Sequence, residues 1–268
     1  MRIILYVLLI LFFSASCKKT KKSSSIDTSS QDKEILIYCE NAMVPALMEL
    51  KTKFETNLNC KIKLHNDCSQ NLSSLIRYSL KGDIYFPASR AGFLKLKSNQ
   101  SPFIIDSVFV GYNPLVVMTA KGNPSGYNGD FSTLAQKKHA VIIANPETSS
   151  LGHDTRILLK KNGLYDDVIL NVVALSTDSR GLVKSLKNKE AQLVVNWKCD
   201  IYNNGNIEYA EVFPIPEIDQ SPSEIYAGIL STSNHPQLAR QFLDYAIGEE
   251  GISIFRKYGF NRRKTLIF

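Results

Sequence analysis

The chain has 268 residues, of which 44% are hydrophobic and 21% charged, and this composition excludes a disordered tail or a collagen-like repeat. Its length suits one large domain or two lobes. The net charge of +7 resembles that of a nucleic-acid-binding protein, but beyond residues 1–34 the chain has 26 basic and 22 acidic residues, so we expect no nucleic-acid partner.

Residues 1–16 have the pattern of a secretory signal peptide. Arg2 supplies a positive charge, residues 3–13 form an unbroken apolar run, and small residues at 14–16 precede Cys17. The run is shorter than the roughly 18 apolar residues that a membrane span needs. The cysteine after small residues resembles the lipobox of bacterial lipoproteins, although Ser14 stands where leucine is usual. The resemblance implies that Cys17 is acylated; the alternative is a signal peptide followed by a chance cysteine.

Residues 17–34 are expected to form the lipidated cysteine and a flexible tether. Between 18 and 34 the segment has a single apolar side chain, Ile26, and cannot bury enough surface to fold. The sequence therefore predicts an exported globular body, in the periplasm or on the cell surface, anchored to a membrane through Cys17.

The rest of the chain alternates between strand and helix patterns, which is typical of an α/β fold. Such alternation implies right-handed crossovers and parallel strands, in one domain or in two lobes that divide near residues 110–120. A late strand fits either group. The predicted strands are 35–39, 60–64, 83–86, 109–119 with an interruption at Asn113-Pro114, 141–144, 172–175, 192–196 and 226–230, and the predicted helices are 46–54, 72–80, 155–161, 181–186, 236–246 and 251–258.

Five short polar segments follow predicted strands and precede a helix or a turn. Ligands of open α/β sheets bind beyond the carboxyl ends of the strands, so these segments predict a shared binding cleft. They are residues 39–42, 66–69, 145–150, 176–180 and 196–197.

Three serines, Ser69, Ser149 and Ser179, stand where predicted helices begin. Hydroxyl and backbone N–H groups at helix starts bind anions without a cation, so the group predicts a site for a tetrahedral oxyanion. Serine is also a favoured N-cap, which is the alternative for each one. Asn41 and Asn145 are expected to add hydrogen-bond donors to this site.

A metal site is the second hypothesis for the same fold. A transition-metal cation or a metal chelate would be bound by thiol, imidazole and carboxylate groups near the first two strands. Cys39 and Cys68 are otherwise buried thiols or a disulfide. The residues of this hypothesis are Cys39, Glu40, His65, Asp67 and Cys68.

Enzyme motifs are missing from the sequence, which has no G-x-S-x-G elbow and no P-loop. Nucleophilic catalysis needs a nucleophile with a positioned base, and only Cys39 or Cys68 together with His65 or His153 could supply that pair. We therefore predict no enzymatic activity and no cofactor. Trp197 fits a cleft wall or the core equally well, and Arg156 fits a charge-balancing role or an exposed surface.

From residue 35 to residue 260 the chain resembles the periplasmic molybdate/tungstate-binding proteins of ABC transporters, within the type II solute-binding fold. The resemblance covers nearly all of the mature body. The matching stretches are ILIYCENAMVPALMELKTKFE, SQNLSSLI, GDIYFPAS, LVVMTAKGNP, IIANPETSSLG, KNGLYDDV, NKEAQLVVNWKCD and LARQFLDYAIGEEGISIFRKYGF.

This resemblance implies a two-lobed periplasmic-binding-protein-like α/β fold, with mixed sheets flanked by helices and a central cleft. Residues 35–112 plus 214–268 would form lobe 1, and residues 113–213 would form lobe 2. The implied function is that of a monomeric lipoprotein that binds a small oxyanion and delivers it to an ABC permease. A sensor that docks a membrane kinase would use the same binding physics.

The resemblance also implies a set of site residues. The serine that the family places after its first strand falls on Ala42, and the aromatic hydroxyl expected in the second lobe falls on Trp197, which offers one N–H donor. The expected ligand-binding residues are Asn41, Ala42, Ser69, Asn145, Ser149, Ser150, Ser179 and Trp197, with Cys39, Glu40, Asp67 and Cys68 as additional lining.

Overall fold

The computed structural model describes residues 34–97, 102–216, 218–220 and 222–262, which belong to one compact unit. The signal peptide, Cys17 and nearly all of the tether lie outside the described residues. Within the described ranges, no helix combines the length and the apolar character that a membrane crossing requires.

Ten strands form two mixed sheets of five strands each. In sheet 1, β1 pairs in parallel with β2 and β3, whereas β10 runs antiparallel to β3 and β4. The strands of sheet 1, in spatial order, are β2 (Lys61–Asp67), β1 (Glu34–Glu40), β3 (Ile84–Phe86), β10 (Ser223–Leu230) and β4 (Ile104–Asn113).

Sheet 2 repeats this arrangement with the second group of strands. Its β6 is parallel to β7 and β8, and its β5 is antiparallel to β8 and β9. The strands of sheet 2, in spatial order, are β7 (Val172–Ser176), β6 (Val141–Ala144), β8 (Leu193–Trp197), β5 (Leu115–Ala120) and β9 (Ala210–Pro214).

Helices flank both sheets, as the sequence predicts. The helices near sheet 1 are α1 (Val44–Leu58), α2 (Ser69–Ser79), α3 (Arg90–Leu94), α7 (Pro236–Ile247) and α8 (Glu249–Lys257). The helices near sheet 2 are α4 (Ser150–Lys161), α5 (Tyr165–Asn171) and α6 (Ser179–Lys187).

The alternation of side chains along β1 buries both faces of sheet 1. Ile35 and Ile37 belong to the main apolar core, whereas Tyr38 packs with Leu72 and Ile76 of α2 in a second cluster. Successive strand residues point to opposite faces, so Glu40 shares the face of Tyr38. This places the end of β1 beneath α2 and α3.

The chain passes from sheet 1 to sheet 2 at Pro114, between β4 and β5, and it returns between β9 and β10. The apolar segment predicted as one interrupted strand is therefore two strands in different sheets. The Gln220 amide accepts from Leu115 N–H at 3.2 Å and donates to Leu115 O at 3.1 Å, which ties the two connections together. The lobe boundaries given above remain a prediction.

Helix α4 extends further toward its N-terminus than its apolar pattern does. It begins at Ser150, where the serines at 149 and 150 predict a helix start, although the apolar spacing begins only at residue 155. Its first turn contains Gly152, a weak helix former. That glycine is required, since a Cβ there would lie 2.3 Å from the backbone carbonyl of Asn145. The sequence gives no signal for α3, α5 or β9.

The four cysteines of the body, Cys39, Cys60, Cys68 and Cys199, are buried and none is in a disulfide. The disulfide alternative for Cys39 and Cys68 is therefore wrong. Burial raises the pKa of the Cys39 thiol to about 12, with a smaller contribution from Glu40, which keeps it uncharged.

Candidate functional site

The carboxyl ends of strands from both sheets meet around a cavity of about 10 Å³, which we call the cleft cavity. A space of this size holds roughly one water molecule, so the two walls are close together. Eight residues predicted as site or lining residues surround it, together with Leu151 and Asp178. The lining residues are Glu40, Asn41, Ala42, Asp67, Cys68, Ser149, Leu151, Asp178, Ser179 and Trp197.

Three helices begin at this cavity. Cys68, Ser149 and Asp178 are the N-caps of α2, α4 and α6, and all three line the cleft cavity. Each helix N-terminus carries about half a positive charge and has N–H groups without helical partners. The arrangement therefore concentrates positive potential and hydrogen-bond donors in one small volume.

The three serines differ from plain N-caps. Ser149 occupies the cap position of α4 but makes no side-chain cap bond, and it is 4% exposed in the cavity wall. Ser69 and Ser179 are the first residues of their helices, and Asp178 caps α6 by accepting from the N–H groups of Arg180 and Gly181. The N-cap alternative does not account for the Ser149 hydroxyl.

Hydrogen bonds cross the cleft at Ser150. Its N–H donates to Ser69 Oγ at 3.0 Å, and its hydroxyl donates to Glu40 Oε2 at 2.5 Å. Both acceptors belong to elements of sheet 1, whereas Ser150 starts a helix of sheet 2. Of the predicted donors, Ser69 and Ser150 thus bind each other across the cleft and do not line the cavity.

A second set of bonds crosses the cleft at Asn41, which is 3% exposed. Its amide nitrogen donates to Asp178 Oδ2 at 2.9 Å, and its amide oxygen accepts from Asn66 Nδ2 at 2.6 Å. Its backbone oxygen accepts from Asn203 Nδ2 at 3.1 Å. The Asn41 side chain is therefore fixed by partners on both sides of the cleft.

Carboxyl groups are unusually close to this cavity for an anion site. Burial raises the pKa of Glu40 to about 7, against the opposing effect of the bond from Ser150. Burial also raises the pKa of Asp200, behind the second wall, to about 6, with hydrogen bonds from Ser179 and Asn203 acting the other way. Asp178 is paired with Arg180, whose Nη2 lies 2.8 Å from Asp178 Oδ2. At neutral pH Glu40 is therefore partly protonated and Asp178 is paired, whereas Asp200 is largely ionised.

Other predicted residues lie outside the cavity wall. Asn145 Oδ1 accepts from the N–H of Glu147 at 2.9 Å, a local turn bond. Arg156 pairs with Glu147, whose side chain is 74% exposed, and so does not balance charge in the cavity. Cys39 is fully buried.

Trp197 is 1% exposed and lines the cavity, so it belongs to both the core and the wall.

The metal hypothesis finds no supporting geometry. Within the part of the chain that the structure describes, no three histidine, cysteine or acidic side chains are grouped to hold a metal ion. His65 instead packs edge-on against Tyr38, with ring centroids 5.5 Å apart.

The sequence places Asn66 and Asp178 within the predicted cleft segments 66–69 and 176–180 but does not single them out as site residues, and it does not predict Leu151 or Asn203. An aspartate followed by Ser179-Arg180-Gly181 has the character of an N-cap, and this signal could have identified Asp178. The contacts of Asn66 and Asn203 with Asn41 join residues 25 and 162 positions apart, and no local pattern reports them.

The fold and the cleft define the class of two-lobed, periplasmic-binding-protein-like proteins. Residues 35–261 match the family model described as bacterial extracellular solute-binding protein, so the chain belongs to that family. Its members are solute-binding proteins of transporters and not enzymes, in agreement with the prediction from sequence.

Individual relatives agree with this assignment. The "Putative ABC transporter substrate-binding lipoprotein YvgL" of Bacillus subtilis (strain 168) is 24% identical over 248 residues, 92% of either chain. The periplasmic molybdate-binding protein of Azotobacter vinelandii superposes with a TM-score of 0.71 and 16% identity, over 84% of this chain and 98% of that one. Iron-bound HitA from Pseudomonas aeruginosa superposes with a TM-score of 0.64 and 13% identity, over 88% of this chain and 90% of that one. These structures share the fold.

Proposed function

We propose that the chain is the extracytoplasmic substrate-binding lipoprotein of an ABC transporter, which binds a small oxyanion of the molybdate or tungstate type and delivers it to the permease. One observation carries this proposal: three helix N-termini converge on the cleft cavity. The name of the Bacillus subtilis relative supports the transporter role, and the Azotobacter vinelandii protein supports the ligand class.

The binding step needs no bond-making chemistry. The Ser149 hydroxyl and N–H groups at the starts of α2 and α4 would donate to the anion's oxygens. The Ser179 hydroxyl bonds Asp200 and the Arg180 and Gly181 N–H groups bond Asp178 in this structure, so α6 would contribute mainly through its positive N-terminal dipole. Two lobes hinged near Pro114 and in the connection after β9 would open and close over the ligand, and the permease would bind the closed form.

The anchoring step rests on Cys17. Acylation of that cysteine after removal of residues 1–16 would tether a monomeric body to the membrane through residues 17–34. Mass spectrometry of the protein extracted from membranes should show an acylated N-terminal Cys17; an unmodified or intact N-terminus would contradict the anchor.

Ligand class is tested by thermal unfolding and calorimetry of the exported protein with molybdate, tungstate and sulfate, against divalent metal ions. An anion present at 100 times its Kd should stabilise the protein by about 2.7 kcal/mol. Nitrate, a planar monovalent anion, serves as the control and should give a smaller shift. Stabilisation by metal ions alone would overturn the oxyanion proposal.

A further inference from the structure

Glu40 stands apart from the other residues in the cavity wall. It ends β1, its side chain is 6% exposed, and its Oε2 accepts the Ser150 hydroxyl at 2.5 Å. Buried carboxyls are costly unless they are paired or protonated, and here the paired group belongs to the opposite wall. The contact is therefore made only when the two walls are together.

The local structure makes room for this carboxyl at a specific place. Position 92, in α3, is a glycine with ordinary helical backbone, and a Cβ there would lie 2.3 Å from Glu40 Oε1. Position 92 therefore requires a glycine because the Glu40 carboxyl approaches its backbone closely, and not because of a turn conformation. The side chain of Glu40 fills the gap between α3 and the start of α4.

Ser150 is held from two directions by sheet 1. Its hydroxyl meets Glu40, and its N–H meets the hydroxyl of Ser69, the first residue of α2. Since Ser150 is also the first residue of α4, these two bonds fix the position of the α4 N-terminus over the cleft cavity. Ser149, the adjacent cap residue, is positioned with it.

We propose that Glu40 is a positioning residue: by binding Ser150 it sets the closed arrangement of the cleft, and closure is favoured when its carboxyl is protonated. The proposal rests on the two-lobed binding function proposed above. It assigns Glu40 a role in closure and not a contact with the ligand.

Burial is the main reason that the protonated form of Glu40 is favoured in this structure, because it raises the pKa of the carboxyl. Hydrogen bonds from the Ser150 hydroxyl and the Ala88 backbone oppose this rise; Asp154 of α4 adds to it, and Lys95, after α3, acts in the other direction. The remaining neighbours are uncharged thiols and a phenol, whose own pKa values Glu40 raises: Cys39, Cys68, Tyr85 and Cys199.

The expected pH dependence has a definite sign. Burial raises the pKa of Glu40 from its ordinary value of 4.5 to about 7 in this structure, where the two walls are in contact, and opening would lower it again to the extent that it exposes the carboxyl. Between these values the closed form binds the additional proton, so the ratio of closed to open protein falls as pH rises and levels off above about 7. A complete return to the ordinary value would make the ratio fall by roughly seventy-fold between pH 5 and pH 8, which is the upper limit of the effect.

Pulsed electron paramagnetic resonance tests the proposal without any ligand. Spin labels at two exposed lysines, introduced as Lys81→Cys and Lys138→Cys, report the distance between the walls at pH 5 and pH 8. We expect the wild-type background to open as pH rises. Glu40→Gln, a neutral isostere, should stay closed at both values, and the exposed control Glu208→Gln should follow the wild type.

Ser150→Ala provides the second variant, since it removes the hydroxyl donor and leaves Glu40 in place. It should shift the distances toward the open form most strongly at pH 8, where Glu40 must otherwise be buried as an anion without a partner. A wild-type distance that does not change with pH, or a Glu40→Gln profile that follows the wild type, would overturn the proposal. A pH profile lost in Glu40→Gln supports it whether or not molybdate binds.

Discussion

The two walls of the cleft cavity contribute different chemistry. The wall from sheet 1 presents Glu40, Asn41 and Asp67, and the first two are bonded to partners across the cleft. The wall from sheet 2 presents Ser149 and Ser179 at the starts of two helices, and of the two hydroxyls that of Ser179 is bonded to Asp200. This difference indicates a division of work, in which sheet 2 supplies donors to the ligand and sheet 1 holds the walls together.

The largest effect should come from Trp197, where sheet 2 combines core and wall. Trp197→Ala removes a side chain that is 1% exposed, and we expect the free energy of unfolding to fall by about 3–5 kcal/mol. Urea denaturation measures the free energy of unfolding, and Trp197→Phe, which removes less of the side chain, should lose less of it. A loss below about 1 kcal/mol combined with lost ligand binding would show that Trp197 serves the wall alone.

Each wall is associated with one buried carboxyl, Glu40 in the wall from sheet 1 and Asp200 behind the wall from sheet 2. The two carboxyls are protonated over different pH ranges. The pKa of Asp200 rises from 3.8 to about 6 in the folded protein, so the folded state binds the additional proton between these values. The free energy of unfolding therefore falls as pH rises from about 4 to 6. Asp200→Asn should remove the part of this fall that Asp200 contributes and be more stable at pH 8 by up to about 3 kcal/mol.

Chemical denaturation across pH 4 to 8 measures that difference. Asp167→Asn, on an exposed helix start, is the matched control and should keep the wild-type profile. Because Glu40 contributes its own fall up to about pH 7, Asp200→Asn should reduce the slope without abolishing it. An unchanged slope in Asp200→Asn would show that this carboxyl is not protonated in the fold.

Ser149 tests the division between the walls directly. Ser149→Ala should weaken binding of the tightest oxyanion of the panel by about 1–3 kcal/mol, as the loss of a buried hydrogen bond to a charge does. Calorimetry measures the affinity, and Ser132→Ala at an exposed position is the control. Equal affinities in both variants would remove Ser149 from the site.

The sequence predicts this site better than it predicts the helices that build it. Apolar runs locate the strands, and the polar residues after them include most of the cavity lining, because carboxyl ends of strands meet at one edge. The serines at 149 and 150 mark the start of α4, but the reason for Gly152 in its first turn, the close approach to Asn145, is visible only in the structure. The partner of the late strand, β10, is likewise set by contacts with β3 and β4 far away in the chain. Long-range contacts of this kind leave no periodic pattern.

Substitution of Arg156 should have the smallest effect on oxyanion affinity. Comparing it with Arg180 distinguishes an arginine outside the cavity wall from one that pairs with a residue of the wall. The sequence allows Arg156 to balance an anion, but the structure pairs it with Glu147, outside the cavity wall, whereas Arg180 pairs with Asp178 in the wall. Because exposed ion pairs contribute about 0–1 kcal/mol, Arg156→Met should change oxyanion affinity by less than about 1 kcal/mol. Arg180→Met should weaken binding more, since it leaves the Asp178 carboxylate unpaired beside the anion. Calorimetry at low and high salt compares the two, and a larger loss in Arg156→Met would place the anion nearer to α4 than the cleft cavity.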